Sequence, residues 1–412
     1  MTSPITSTAQ EKRNARRFVW AQGLQSIGDQ IVAAKTVLPW LLQSAGAPAF
    51  FIGLLVPIRE SGSMLPQASL TPWVTSRAQR KGIWVMGGIG QAMAAALMAV
   101  AALLLEGTPL AVAILVLLAV LALCRALCSI ASKDVQGRTI SKGSRGQITG
   151  RATELGGAAA LLVGVGLWFL TGDIDLLVIV ALIAAAALSW VVASAIFWRI
   201  EEPVEDAEQS ESNKNAGMAD AWRLFTGNAD FRAFVIARGL LLVTALSTSF
   251  IVVLGQGNGS DLGGLAAFVV ASGLSALIGG RISGMWSDVS SKNVMSYGAL
   301  VGSILLFVLV ACAAWLPEEV NAWVFPVGFL LVNLTHTAVR VGRKTYIVDM
   351  AEGDDRTRYV GAANTLMGFI LLGVGAISGG LAMLGPAWAL IFLAFSGLAG
   401  VMASRNLKDV SA

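Results

Sequence analysis

Long apolar runs separated by short polar breaks set the pattern of this chain, and "AVAILVLLAVLAL" at 111–123 is a typical run. A spanning helix needs about 20 mostly apolar residues. Twelve segments meet that need: 17–43, 49–74, 83–105, 109–130, 147–170, 176–198, 231–255, 264–285, 293–316, 321–342, 360–383 and 386–403. The runs lack the strict alternation of a membrane barrel. They predict an all-α integral membrane protein with twelve transmembrane helices. The first segment carries Gln22, Gln25, Asp29 and Gln30. It is too polar for the core of a cleaved leader and is expected to remain as a span.

The pattern is written twice. "FVWAQGL" at 18–24 returns as "FVIARGL" at 234–240, with five of seven positions identical. Trp73 after the second span pairs with Trp286 after the eighth. In span five, Gly150, Ala152, Leu155, Gly157, Leu161, Val163 and Gly164 match Gly361, Ala363, Leu366, Gly368, Leu372, Val374 and Gly375 of span eleven, all at an offset of 211. These matches predict two pseudo-symmetric six-helix bundles, residues 1–200 and 231–412. Parallel repeats of this kind place a solute site near the membrane midplane, between the halves. The connecting residues 201–230 begin with "EEPVEDAEQSESNKNAG", an acidic linker without apolar periodicity. Beyond it, Met218, Trp222 and Phe225 share a helical face. That segment reads either as a short interfacial helix or as a lead-in to span seven.

Charge fixes the orientation. The connections near 44–48, 106–108, 171–175, 256–263, 317–320 and 384–385 contain no Lys or Arg. The opposite set holds Arg77, Arg80, Lys81, Lys133, Arg138, Lys142, Arg145, Lys292, Arg343, Lys344, Arg356 and Arg358. Basic loops stay in the cytoplasm, so both termini are expected there, in the cell or inner membrane. Charged residues make up 13% of the chain, about half the share in soluble domains. The net charge of +4 is dispersed rather than gathered into a patch for nucleic acid. Cys124, Cys128 and Cys312 lie in apolar runs and form no metal-ligand set. With one histidine, no phosphate loop and no nucleophile–base pair at readable spacing, neither an enzyme nor a cofactor or ATP-driven machine is expected.

One loop carries a family resemblance. "GGRISGMWSDVSSK" at 279–292, between spans eight and nine, is similar to the glycine-spaced gating loop of the major facilitator superfamily, with Gly280, Gly284, Asp288 and Lys292 as the matching positions. The six-plus-six plan and the long central loop fit the same family. In the first half Thr75 stands where the acidic residue is expected, and "GRATELGGAAALLVGVG" of span five lacks the proline of the antiporter signature. The resemblance implies alternating access, and a monomer is expected. It also implies that spans one, four, seven and ten line a central cavity, with spans three, six, nine and twelve outside.

The polar residues agree with that division. Spans three, six, nine and twelve carry no charge in their interiors, which suits lipid-facing helices. Counted at 1.5 Å per residue, Asp29, Arg59 and Glu60 lie about 15–18 Å deep, near the middle of the hydrocarbon. Arg125, Glu154, Arg238 and His336 form a second layer nearer the cytoplasm. Gln22, Gln25 and Asp29 share one face of span one, and Asn333, His336 and Arg340 repeat that spacing on span ten. A charge at such depth costs about 2.5–3.5 kcal/mol and normally faces the protein interior. The candidate solute-binding or coupling residues are therefore Gln25, Asp29, Arg59, Glu60, Arg125, Glu154, Arg238, Asn333 and His336. Structural readings stand beside these: Asp29 paired with Arg59, Arg125 with Glu154, His336 satisfied in the core, and Arg238 and Lys35 snorkelling to the surface.

The function expected is secondary active transport of a small solute. Asp29, Glu60 and Glu154 offer a proton-coupling route, and Arg125 and Arg238 suit an anionic or zwitterionic solute. One alternative is a multidrug-type efflux pump using Asp29 with Trp20 and Trp40. The other is a non-transporting sensor or assembly factor on the same scaffold.

Overall fold

The computed structural model describes residues 8–75, 77–140, 155–166, 176–203, 218–257, 262–287, 290–350 and 355–408. Glu154, Asp288 and most of the acidic linker lie outside these residues. Helices make up nearly all of what is described. In the first half they are α1 (Thr8–Ile31), α2 (Val37–Ser44), α3 (Ala49–Met64), α4 (Gln67–Thr75), α5 (Lys81–Leu104), α6 (Gly107–Thr139), α7 (Leu155–Gly166) and α8 (Leu176–Trp198). The second half holds α9 (Met218–Gly227), α10 (Ala229–Leu240), α11 (Val243–Gly257), α12 (Leu262–Ser287), α13 (Ser291–Trp315), α14 (Glu318–Met350), α15 (Asp355–Ala382) and α16 (Pro386–Arg405).

Among the described residues, eight helical stretches are long and apolar enough to cross a membrane, so the chain is a multi-pass integral membrane protein. The first expected span is not one helix but α1 followed by α2, with a break at 32–36. The second divides into α3 and α4 at Leu65 and Pro66, and the seventh into α10 and α11 at Leu241 and Leu242. The break after α1 has a local cause. Pro39 has no N–H to give to the carbonyl four residues back, that of Lys35, and its ring crowds that carbonyl. The chain turns there and restarts as a helix at Val37.

The packing of the first half recurs in the second. α5 lies against α6 and α8, α3 against α6, and α1 against α8; in the second half α13 lies against α14 and α16, α12 against α14, and α10 against α16. Each equivalence follows the sequence repeat. Between the halves, α3 packs along α15. The related pair, α7 and α12, meet where a Cβ on Gly273 would come within 2.9 Å of the Leu161 backbone nitrogen. The α3–α15 crossing is equally close: a Cβ on Gly53 would lie 2.6 Å from the Gly379 Cα. Glycine is required at both crossings because backbone meets backbone. Ser61 adds a hydrogen bond from its Oγ to the Gly368 carbonyl, 2.8 Å.

The helix ends that carry Arg17, Arg80, Lys133 and Lys292 form one basic face. There the first half is tied by its own carboxylates. Glu201 accepts from Arg17 at 2.9 Å, and its backbone exchanges hydrogen bonds with the Asn14 amide at 3.1 Å. That hydrogen bond from Arg17, together with the charge of Arg13, holds the Glu201 carboxyl below its usual range. Glu202 accepts from the backbone N–H groups of Arg80 and Lys81 at the start of α5, while its burial pushes its carboxyl up. Lys408, just past α16, reaches Asp230 of α10 at 2.7 Å. The same clasp thus closes the second half with its charges exchanged. α9 lies on that face, with Ala221 and Leu224 buried and Trp222 outward, stacked on Phe225 at 5.7 Å.

Candidate functional site

Two adjoining lobes form a cavity between the halves. The first, about 400 Å³, is lined by Asp29, Gln30, Lys35, Arg59, Glu60, Arg125, Ser129, Ser272, Ser275, Asn333, His336, Thr337 and Arg340. The second, about 500 Å³, shares Lys35, Glu60, His336 and Arg340 and extends toward the basic face past Lys133, Arg238, Arg343 and Asn364, with Leu242, Ile347, Val360, Met367 and Leu371 as an apolar wall. Both volumes are those of small-molecule sites, which run roughly 300–1,000 Å³. None of the described lining residues comes from α5, α8, α13 or α16. Those helices turn Met93, Leu97, Leu188, Val308 and Phe395 outward instead.

Asp29 is the centre of the first lobe. α1 is held in register by close packing, since a Cβ on Gly28 would strike the Trp190 ring at 2.6 Å. One carboxylate oxygen of Asp29 accepts from Arg59 at 2.7 Å, and the other faces Arg125 at 2.9 Å. The three groups are half-buried and together carry one net positive charge. Arg125 therefore finds Asp29.

The second half contributes cations from one face of α14. Asn333, His336, Arg340, Arg343 and Ile347 recur at three- and four-residue spacing, and all reach the cavity. His336 Nδ1 lies 3.2 Å from Thr244 Oγ1, and the Asn333 amide donates to the Phe329 carbonyl at 3.2 Å. Arg238 sits in the last turn of α10, where the carbonyl end of the helix favours a cation. It donates to Asn364 Oδ1 at 3.0 Å, a neutral partner. The Nε atoms of Arg238 and Arg343 are buried and have no acceptor among the described residues.

Lys35 was expected to reach for the membrane surface. The break at Pro39 turns it into both lobes instead. The neighbouring Ala34 carbonyl accepts from Ser249 of α11 at 3.1 Å. Discontinuous helices of this kind, near the midplane, are where transporters place their ligands. Among the cationic lining residues, Lys35, Lys133 and Arg343 are the ones the sequence assigned to the membrane surface or to basic loops rather than to the cavity. Pro39 and the continuing spacing along span ten were the signals for Lys35 and Arg343.

Other candidates fall elsewhere. Gln25 is fully buried beside Cys128 and lines neither lobe. Gly280 and Gly284 lie in the last turns of α12, and Lys292 in the first turn of α13. Glu154 and Asp288 are outside the described residues. Trp20 is exposed on α1 and Trp40 is buried in the core. No Phe, Tyr or Trp lines either lobe among the described residues. The described lining holds seven cationic side chains, Lys35, Arg59, Arg125, Lys133, Arg238, Arg340 and Arg343, against two carboxylates, Asp29 and Glu60.

Neither a family model nor a curated protein matches the sequence. Solved structures do match the fold over almost the whole chain. A D-xylose–proton symporter superimposes with a TM-score of 0.75 at 12% identity, over 96% of this chain and 98% of its own. A nucleoside transporter gives 0.72 at 13% identity, covering 96% and 99%. A POT family transporter in complex with 5-aminolevulinic acid gives 0.71 at 11%, covering 95% of each chain. The chain shares its fold with these solute transporters.

Proposed function

We propose that this protein is a secondary active transporter that moves a small organic anion, or a zwitterion bound through its anionic group, by alternating access. The observation that carries this reading is the cavity charge: seven cations against two carboxylates, one of which already serves two arginines. Buried cations of this number need counter-charge, and guanidinium groups recognise carboxylate and phosphate with paired hydrogen bonds. The transporters of the same fold carry sugar, nucleoside or peptide-like solutes, so the scaffold suits solutes of this size.

Twelve spans in two bundles, residues 1–200 and 231–412, explain the repeated packing. The bundles rock about the cavity. The α3–α15 contact near Gly53 and Gly379 closes one side, and the cavity extends toward the basic face on the other. With the basic face cytoplasmic, this is an inward-facing arrangement of a monomer. Glu60, which makes no ion pair among the described residues, is the better proton carrier of the two cavity carboxylates. Asp29 is already engaged by its two arginines. A multidrug pump for cations would need an acidic, aromatic-walled cavity, and the described lining has neither property.

The test is flux. Purified protein in proteoliposomes should exchange radiolabelled organic anions across the bilayer, faster with an imposed pH gradient. Uptake of neutral sugars or nucleosides with no response to any anion would overturn the anion reading. Solute binding without flux would favour a sensor on a transporter scaffold.

A further inference from the structure

We infer that the second lobe selects a doubly charged solute: a small dianion held between Lys35 of the first half and Arg238, Arg340 and Arg343 of the second. This rests on the anion reading above and narrows it to one chemical class.

The two lobes differ in what they leave free. In the first, Asp29 already engages Arg59 and Arg125. In the second, Lys35, Lys133, Arg238, Arg340 and Arg343 make no ion pair among the described residues, and Glu60 is the one carboxylate of the described lining. Lys35, Arg340 and Arg343 lie within Coulombic reach of one another, and Arg343 also acts on Arg238. Glu60 is near enough to act on Lys35 and Arg343, yet it is one negative charge against five positive ones. Like charges held this close repel, and the repulsion raises the energy of the empty site. A monoanion leaves most of the excess in place, whereas a dianion halves it.

The surface offered to a solute is charged rather than apolar. Leu242, Ile347, Met367 and Leu371 border the lobe but are packed into the core and show almost no surface. Lys133 and Arg340 are exposed, and Lys35, Arg238 and Arg343 are part-exposed. Arg238 spends one donor on Asn364. Arg340 and Arg343 donate no hydrogen bond among the described residues, and a guanidinium pairs with carboxylate or phosphate through two parallel bonds.

The cations also come from both halves. Lys35 stands in the break between α1 and α2, Lys133 on α6, Arg238 on α10, and Arg340 and Arg343 on α14. Lys35 therefore repels Arg340 and Arg343 from the opposite half. A dianion between them attracts both halves at once. Two carboxylates, or one phosphate ester group, supply the same two charges.

The experiment uses the full-length protein in nanodiscs, slightly above neutral pH, with binding read by calorimetry against empty nanodiscs. The probes are succinate, its monomethyl ester, its dimethyl ester and methyl phosphate. The esters keep the carbon frame and remove one or both charges. Succinate or methyl phosphate should bind at least about tenfold tighter than the monomethyl ester, and the tighter of the two tells a dicarboxylate from a phosphate ester. The dimethyl ester should show no saturable binding. Arg340→Gln combined with Arg343→Gln should bring the preference for the dianion below about threefold. Arg340→Lys combined with Arg343→Lys keeps both charges and should restore most of the preference, which separates charge from folding. A monomethyl ester that binds as tightly as both dianions would overturn this inference and leave the anion reading intact. A preference unchanged by the double Gln variant would overturn the role given to Arg340 and Arg343. Absence of saturable binding by either dianion would overturn the inference as well. If the dimethyl ester saturates the site and no anion does, the anion reading itself fails.

Discussion

Arg125 on α6 reaches Asp29 on α1 at 2.9 Å, on the side of the carboxylate that Arg59 leaves free. One acidic group thus holds two guanidiniums and three helices together at mid-depth. Removing one partner of a buried ion pair costs about 3–5 kcal/mol, and the partial exposure of these side chains reduces that figure here. Asp29→Asn should therefore lower the melting temperature clearly, since two arginines are left facing each other. Adding Arg125→Gln to Asp29→Asn should recover more than half of the loss. Thermal unfolding of the three proteins decides the matter; simply additive losses would mean that packing, not charge, is what the triad supplies.

Arg238 behaves differently because its partner is neutral. Its hydrogen bond to Asn364 spans 3.0 Å, and an ordinary hydrogen bond contributes about 1 kcal/mol net. Losing the bond is offset by losing an incompletely satisfied buried charge. Arg238→Gln, which restores the residue found at the equivalent Gln22, should change stability little and lower flux at least tenfold. A marked fall in melting temperature with unchanged flux would assign Arg238 a structural role.

The fold was legible in the sequence because its apolar runs repeat, and the repeat reappears in the packing of α5, α6 and α8 and of α13, α14 and α16. Asp29 and Arg59 were legible as mid-depth charges on consecutive spans. Lys35 was not, because residue counting assumed one continuous first helix, and Pro39 breaks it. Arg343 was hidden for another reason. It lies just past the expected end of span ten, where a cation reads as part of a basic loop, yet α14 continues to Met350 and keeps its face toward the cavity.

Orientation is open to chemical labelling. In a protein whose three cysteines are replaced by alanine, Thr108→Cys and Glu318→Cys should react with an impermeant thiol reagent added to intact cells. Ala78→Cys and Asn293→Cys, on the basic face, should react after the cells are permeabilised. Reaction of all four from the same side would rule out the topology proposed from the basic loops.

The clasp at Glu201 gives a pH dependence whose sign follows from its lowered carboxyl. The hydrogen bond from Arg17 and the charge of Arg13 favour the ionised form in the folded protein. That contribution is fully present above the ordinary glutamate range, about 4.3. It is lost as pH falls through the lowered folded value. Glu201→Gln should therefore melt below the parent protein at pH 7, and the gap should close as the pH falls below about 4. A gap that stays constant with pH would mean that Glu201 acts through its backbone contacts with Asn14 alone.

The contact between Gly53 and Gly379 is the place where rocking of the halves is most exposed to a steric test. A Cβ on Gly379 would lie 2.8 Å from the Phe50 carbonyl oxygen, and one on Gly53 2.6 Å from the Gly379 Cα. Both obstacles are backbone, which cannot rotate away as a side chain can. Its neighbour Gly380 has nothing within 4 Å of the same added atom. Alternating access requires the α3–α15 crossing to close once in every cycle. Gly379→Val should hold it apart, lowering flux at least tenfold while solute binding to the cavity persists. Gly380→Val, with the same change in composition and helix propensity one residue away, should leave flux near the parent value. Gly273→Val, at the equivalent crossing of α12 with α7, should reproduce the loss. Equal flux in the Gly379 and Gly380 variants would show that closure of this crossing is no part of the cycle.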